Sequence, residues 1–233
     1  MKAVFKREFK AYFNTPLGFI VLAAYYLFLG IYFSLMYKYG SPNMESLLLA
    51  MAIVVTFTVP IITMRLMSED RRQKTDQVLL TSPVKLTSIV LGKFFAALTI
   101  YALGFAPAVV FEIIVASYVS VNVFSFVYAL CGMILLGAAL VSIGMLISSL
   151  TESSVIAAIL TLVINILVLY LSSFSSVISI SWLSAVAEKA AFISAVESFG
   201  KTVFSVPDVV YFLSITAAFL FLTVRSLEKR RWA

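Results

Sequence analysis

Histidine, cysteine and charge are scarce in this sequence, and each scarcity excludes a class of chemistry. Among 233 residues there is no histidine and a single cysteine, Cys131. Without histidine a Ser-His-Asp triad cannot form, and a lone cysteine cannot close a disulfide within the chain. The phosphate-binding pattern Gly-x-x-x-x-Gly-Lys-Ser/Thr is also absent, because Gly92 and Lys93 are followed by Phe94. We therefore expect no catalytic residue, no metal site and no bound cofactor in this chain, which by itself is not an enzyme.

Charged residues make up 12% of the chain and hydrophobic residues 62%, whereas soluble proteins are about 25% charged. This composition predicts one integral membrane domain over residues 1–233, with no separate soluble lobe. The net charge of +6 comes from basic residues beside apolar runs. Membrane lipids with anionic headgroups, and not nucleic acid, are therefore the expected counter-charge.

Six apolar runs are long enough to cross a bilayer as helices, which takes about 20 residues. We predict an all-α, polytopic membrane protein with six transmembrane helices, over residues 17–37, 46–67, 89–117, 124–149, 154–174 and 206–227. Thr15-Pro16, Ser41-Pro42 and Ser82-Pro83 predict helix starts, since each pairs a capping hydroxyl with a proline suited to the first helical turn.

Lysine and arginine are distributed unequally between the two sides of this topology. Four precede the first span, six lie in residues 65–93 and four follow residue 224, which leaves only Lys38, Lys189 and Lys201 for the other side. Because positively charged loops stay in the cytoplasm, both termini are predicted to be cytoplasmic. Residues 175–205 then form the main extracytoplasmic segment.

Residues 1–14 are predicted to form an amphipathic helix in the cytoplasmic headgroup layer. Lysines recur every fourth position from Lys2, whereas Phe5, Phe9 and Phe13 share another face. The alternative is a basic tail that only sets the topology.

Two polar residues inside the predicted spans are candidates for a substrate path, Glu112 and Asn165. Glu112 lies 19 residues after Lys93, about 28 Å along a helix, so pairing at the outer boundary is the favoured interpretation. For Asn165 the favoured interpretation is a hydrogen bond between helices. Prolines and glycines add predicted kinks at Pro60 and at Gly104-Pro107, and close helix packing along the fourth span at Gly132, Gly137 and Gly144.

The stretch SEDRRQKTDQVLLTSPV, residues 68–84, concentrates charge between two apolar runs. It lies in the predicted cytoplasmic loop 68–88. We predict a helix over residues 69–80, charged early and apolar late, with Pro83 opening the helix of the third span. The apolar end favours a short docking helix over a merely solvated charged face.

Three segments carry a family resemblance: FKREFKAYFNTPLGFIVLAAYYL, SEDRRQKTDQVLLTSPVKLTSIVLGK and DVVYFLSITAAFLFLTVRSLEKRR. Together they resemble permease subunits of ABC-2 type transporters, and most closely the branch associated with bacterial gliding motility. One departure is that Lys74-Thr75 stands where members usually have Gly-Thr.

The resemblance implies a permease that pairs with a second copy or a related permease in a bacterial cytoplasmic (inner) membrane. It also implies two separate cytoplasmic ATPase subunits, which would bind the ATP and Mg, and transport in the direction of export. The loop after the second span would be the coupling helix seated on the ATPase. The predicted coupling residues are Glu69, Asp70, Arg71, Arg72, Thr75, Asp76, Leu79, Leu80 and Pro83.

Two other functions remain open from the residues themselves. One is a secondary transporter or channel driven by an ion gradient, which the scarcity of acids and the lack of histidine disfavour. The other is a membrane scaffold that anchors a cytoplasmic complex without transport.

Overall fold

The computed structural model describes residues 1–40, 43–74, 85–118, 122–169 and 206–231, together with Phe192 and Phe199. These residues are almost entirely helical and contain no strand, so the predicted all-α class is confirmed. The helices are α1 Lys2–Asn14, α2 Pro16–Lys38, α3 Met44–Thr63, α4 Ser68–Arg72, α5 Leu86–Gly104, α6 Ala106–Ala116, α7 Val123–Leu150, α8 Ser154–Leu169 and α9 Val206–Arg231.

Among the residues that the structure describes, five helical stretches are long and apolar enough to cross a membrane: Pro16–Lys38, Met44–Arg72, Leu86–Ala116, Val123–Leu150 and Val206–Arg230. They match five of the predicted spans. For the fifth prediction, residues 154–174, the described helix is α8 with 16 apolar residues. The last part of that prediction lies outside the described residues, so six spans remain a prediction.

The three Thr-Pro or Ser-Pro pairs that predicted helix starts differ in how well they match the helices. Thr15 occupies the N-cap of α2 with Pro16 as its first residue, as predicted. By contrast, α3 starts at Met44, where the side chain of Asn43 accepts a hydrogen bond from Ser46 N. The prediction for Pro83 is wrong, because α5 begins only at Leu86 after an extended residue. A Ser-Pro pair starts a turn readily, but it does not require a helix to follow at once.

The third span is broken where Gly104 and Pro107 predicted a kink. α5 ends at Gly104, Phe105 lies between the helices, and α6 carries Pro107 in its first turn, where a missing N–H costs no helical hydrogen bond. Pro60 lies within α3, which ends soon after it at Thr63.

α7 is the central helix and packs against α3, α5, α8 and α9. Its glycines permit this packing, as predicted. A Cβ atom added at Gly137 would overlap the ring of Tyr101, and one added at Gly144 would overlap the hydroxyl of Thr63. The Tyr101 hydroxyl also donates a 2.6 Å hydrogen bond to Met133 O on α7, so the ring is fixed where it is.

Both chain ends lie at one end of the bundle, which we call the basic end. The hydroxyls of Ser149 and Ser226 are 3.4 Å apart, so α7 and α9 finish side by side. The beginning of α5 lines a groove with the last turns of α9. At the N-terminus, Met1 O would lie 3.2 Å from a Cβ atom added at Gly92. The basic end therefore comprises α1, α4, the first turns of α5 and the last turns of α7 and α9.

Candidate functional site

The charged stretch after α3 is only partly helical. α4 covers Ser68–Arg72 and is followed by a turn at Gln73 and Lys74. Lys74 has φ 56, a left-handed conformation that cannot continue a right-handed helix. The predicted continuous helix over residues 69–80 is therefore wrong, since it is interrupted at this turn. Of the predicted coupling residues, Thr75, Asp76, Leu79, Leu80 and Pro83 lie outside the described residues.

All four charges of α4 take part in ion pairs within the chain, and three of them have a partner within 3.1 Å. Glu69 pairs with Arg65 at 2.7 Å, one helical turn earlier. Asp70 lies 2.8 Å from Lys93 of α5, and Arg71 lies 3.1 Å from Glu152, just beyond α7.

Arg72 makes the longest of these ion pairs. Its side chain is 65% exposed and lies 4.0 Å from Glu69. The charges of α4 thus mainly fix this helix on its neighbours. Arg72 is the most exposed of them, and so the one that a partner protein can reach most easily.

Ser148 of α7 anchors the junction between α3 and α4. Its Oγ accepts hydrogen bonds from the backbone N–H groups of Met67 and Ser68, both at 3.1 Å, and donates to Met64 O at 3.1 Å. Arg71 adds a second link, since its guanidinium donates to Ser149 O at 3.2 Å. Any displacement of α4 would therefore act directly on the end of α7.

α1 is a helix over Lys2–Asn14, and its aromatic residues form a continuous row. The ring centroids of Phe5 and Phe9 are 5.8 Å apart and those of Phe9 and Phe13 are 5.2 Å apart. These three rings are half-buried, while Lys2 is exposed. The aromatic row and Lys2 therefore differ in exposure, while an amphipathic helix in the headgroup layer stays a prediction.

Tyr12 fixes the C-terminal part of α1 to the second span. Its hydroxyl donates a 2.7 Å hydrogen bond to Ile62 O of α3. Burial raises the pKa of Tyr12 well above its ordinary value, so the phenol stays neutral and remains a donor. α1 is thus docked on the bundle.

A cavity of about 370 Å³ lies between α1 and α4. Its charged lining consists of three cations and three carboxylates: Arg7, Arg65, Lys93, Glu8, Glu69 and Asp70. Because the two signs are balanced, this cavity offers no net positive field to a phosphate group. The lining charges form ion pairs with one another instead. Lys93 and Glu8 were not among the predicted site residues. The sequence feature that could have identified Lys93 was its position as a lone lysine inside the predicted third span.

The two substrate-path candidates lie on different helices, Glu112 on α6 and Asn165 on α8. Glu112 is 6% exposed and Asn165 is fully buried. Within the described part of the chain, neither Glu112 Oε2 nor the side-chain amide of Asn165 has a hydrogen-bond partner. The hydroxyl of Thr161, one turn before Asn165, is buried without a partner there as well. The favoured interpretation of Asn165 as a hydrogen bond between helices therefore finds no support among the described residues.

The chain matches a known protein family over most of its length. The family model described as ABC-2 type transporter matches residues 1–204. No curated protein matches the chain. The matched range includes α1 to α8, and with them all the ion pairs of α4 described above.

Proposed function

Because the chain belongs to the ABC-2 type transporter family, we propose that it is the permease subunit of an ATP-driven exporter, with ATP and Mg bound by separate cytoplasmic ATPase subunits. The family match, together with five apolar helices long enough to span a membrane, makes this a multi-pass membrane protein. Membrane proteins of this family normally work with ATPase partners. The observation that carries the proposal is a match over residues 1–204 in a sequence without a phosphate-binding loop.

The coupling surface would be the loop after the second span, beginning at Arg72 and including residues 75–83. Two features support this assignment. Arg72 is open to a partner, while the rest of α4 is tied to α5 by Lys93 and to α7 by Ser148. A push on the loop would therefore reach the spans as a rigid-body displacement, which is how an ATPase with different affinity for two states could gate a permease.

We further propose six spans with both termini in the cytoplasm. α7 and α9 finish side by side at the basic end, so the chain between them must return to the opposite end. α8 is the described apolar helix within that connection, and its 16 residues cover about 24 Å of the roughly 30 Å hydrocarbon layer. The excess of basic residues at this end supports a cytoplasmic position, with α1 in the headgroup layer.

The remaining parts of the proposal concern partners and cargo. The permease would work as a dimer, with a second copy or a related permease, in a bacterial inner membrane. The family branch would be the one associated with gliding motility. Glu112 and Asn165 are the proposed path residues, because their buried polar atoms without described partners could meet polar groups of a cargo.

The proposal is tested by co-purification in mild detergent with the ATPase subunits of the same cell. We expect wild-type permease to retain an ATPase, and Arg72→Glu to lower its recovery and the ATP turnover several-fold. Lys38→Glu is the matched control, because it reverses an exposed charge at the far end of α2, about 35 Å along that helix.

Two results would contradict parts of this scheme. Unchanged recovery and turnover with Arg72→Glu would remove the coupling role of this surface. Absence of any ATPase from the wild-type preparation, with transport driven by an ion gradient in liposomes, would favour a secondary transporter.

A further inference from the structure

Lys93 is a buried cation shared by three parts of the basic end. Its side chain is 2% exposed, and its Nζ lies 3.2 Å from Glu8 Oε1 of α1 and 2.8 Å from Asp70 Oδ2 of α4. The same nitrogen donates a 2.6 Å hydrogen bond to Leu66 O, between α3 and α4. The contact with Leu66 O is a hydrogen bond and the two carboxylates form ion pairs with Lys93, and each of the three partners belongs to a different segment.

The placement of Lys93 in α5 explains this geometry. It lies seven residues after Leu86, about 10 Å along the helix, where neighbouring positions are apolar. Side chains on a helix tilt toward its N-terminus, so the lysine reaches back to the basic end. Removing an ion-pair partner there would leave a charge in surroundings of low polarity, which is far costlier than at a solvated surface.

The preceding residue, Gly92, allows α1 to pack closely on α5. A Cβ atom added at Gly92 would lie only 3.0 Å from Val4 Cβ, so α1 rests directly on the backbone of this turn of α5. Glu8 follows Val4 by one turn on the same face of α1 and so arrives at Lys93. The carboxylates of Glu8 and Asp70 would repel each other without the cation between them.

We propose that Lys93 is a positioning residue that fixes the N-terminal helix α1 and the loop helix α4 to one another as a single unit. The consequence for transport rests on the proposed function: the ATPase would displace α1 and α4 together. Because Ser148 ties α4 to α7, the unit would pass this displacement to α5 and α7 at once.

Hydrogen exchange on the purified permease in lipid nanodiscs tests the unit without any ATPase. Glu8→Gln should raise amide exchange in α1 by about tenfold and leave α4 unchanged, since its ion pair with the buried Lys93 is lost. Asp70→Asn should do the reverse, and Lys93→Met should raise exchange in both helices. Lys93→Arg should restore most of the protection. Lys6→Met is the matched control, because it removes an exposed lysine of α1 and should change nothing.

The second arm uses the complex with its ATPase and a non-hydrolysable ATP analogue. In wild type, the analogue should change the exchange of α1 and α4 in parallel; in Lys93→Met, only one of the two should respond.

If Lys93→Met does not fold, the Glu8→Gln and Asp70→Asn variants still decide the outcome. Wild-type protection of both helices in all three neutral variants, with the ATPase still bound, would overturn the role of Lys93 and leave the proposed function intact. A wild-type chain that binds no ATPase would instead refute the proposed function, while the nanodisc measurement would still decide whether Lys93 fixes α1 to α4.

Discussion

Lys74 adopts the backbone conformation that glycine prefers. Among the described residues it is the non-glycine position with positive φ, at 56°, and it stands where the resembling permeases usually have glycine. An L-residue in this region costs about 1–2 kcal/mol relative to the right-handed form.

Lys74→Gly should thus keep or raise stability, by up to about 1 kcal/mol after the entropy that glycine gains in the unfolded chain is subtracted. The measurement is the thermal unfolding midpoint in detergent. Gln73→Gly is the adjacent control: Gln73 has φ −85, where glycine brings no relief and should lower the midpoint. A lower midpoint for Lys74→Gly than for Gln73→Gly would contradict this account of the turn.

Ser148 allows a second test at a single atom. Ser148→Ala removes the acceptor of two buried backbone N–H groups, those of Met67 and Ser68. Each unsatisfied donor costs about 1–3 kcal/mol, so we expect a clear loss of stability. Ser142→Ala is the matched control, because that buried hydroxyl of α7 only donates to Ala139 O within its own helix. Equal unfolding midpoints for the two variants would show that Ser148 is no anchor.

At the scale of elements, the close packing of α7 against α5 depends on Gly137. Gly137→Ala would force its methyl group into the ring of Tyr101, and the ring cannot withdraw without losing its bond to Met133 O. Overpacking of this kind costs about 1–3 kcal/mol. Gly30→Ala on α2 is the control, since its added Cβ would meet no atom within 4 Å. We expect a lower unfolding midpoint for Gly137→Ala only, and a similar loss in both variants would mean that general helix effects dominate.

Helices and their apolar runs were predictable from the sequence because their signal is local. Five spans and the break at Gly104 follow from hydropathy, glycine and proline in windows of a few turns. The ion pairs around Lys93 were not predictable, because Glu8, Asp70 and Lys93 are far apart in the chain and meet only through packing. The interruption at Lys74 was missed for another reason: lysine gives no sign that its backbone is left-handed.

The whole molecule has one topological question, which is whether the segment between α7 and α9 crosses the membrane. The parallel ends of α7 and α9 predict that it does. In a Cys131→Ala background, needed because Cys131 is exposed, single cysteines replace exposed residues near helix ends. Tyr39→Cys and Val206→Cys should react with a membrane-impermeant maleimide on intact cells. Lys2→Cys and Lys229→Cys should react only after permeabilisation, since they lie at the basic end.

The number of crossings decides the pattern of this labelling. An even number places Lys2 and Lys229 on the same side, and Val206 on the side of Tyr39. If α8 stayed at one surface, α9 would cross in the opposite sense, so Val206→Cys would be protected and Lys229→Cys would be labelled on intact cells. That result would also separate α9 from α7 at the basic end, because helices that cross in opposite directions cannot bring Ser149 and Ser226 together. The labelling therefore tests the six-span topology and the packing of α9 in one experiment.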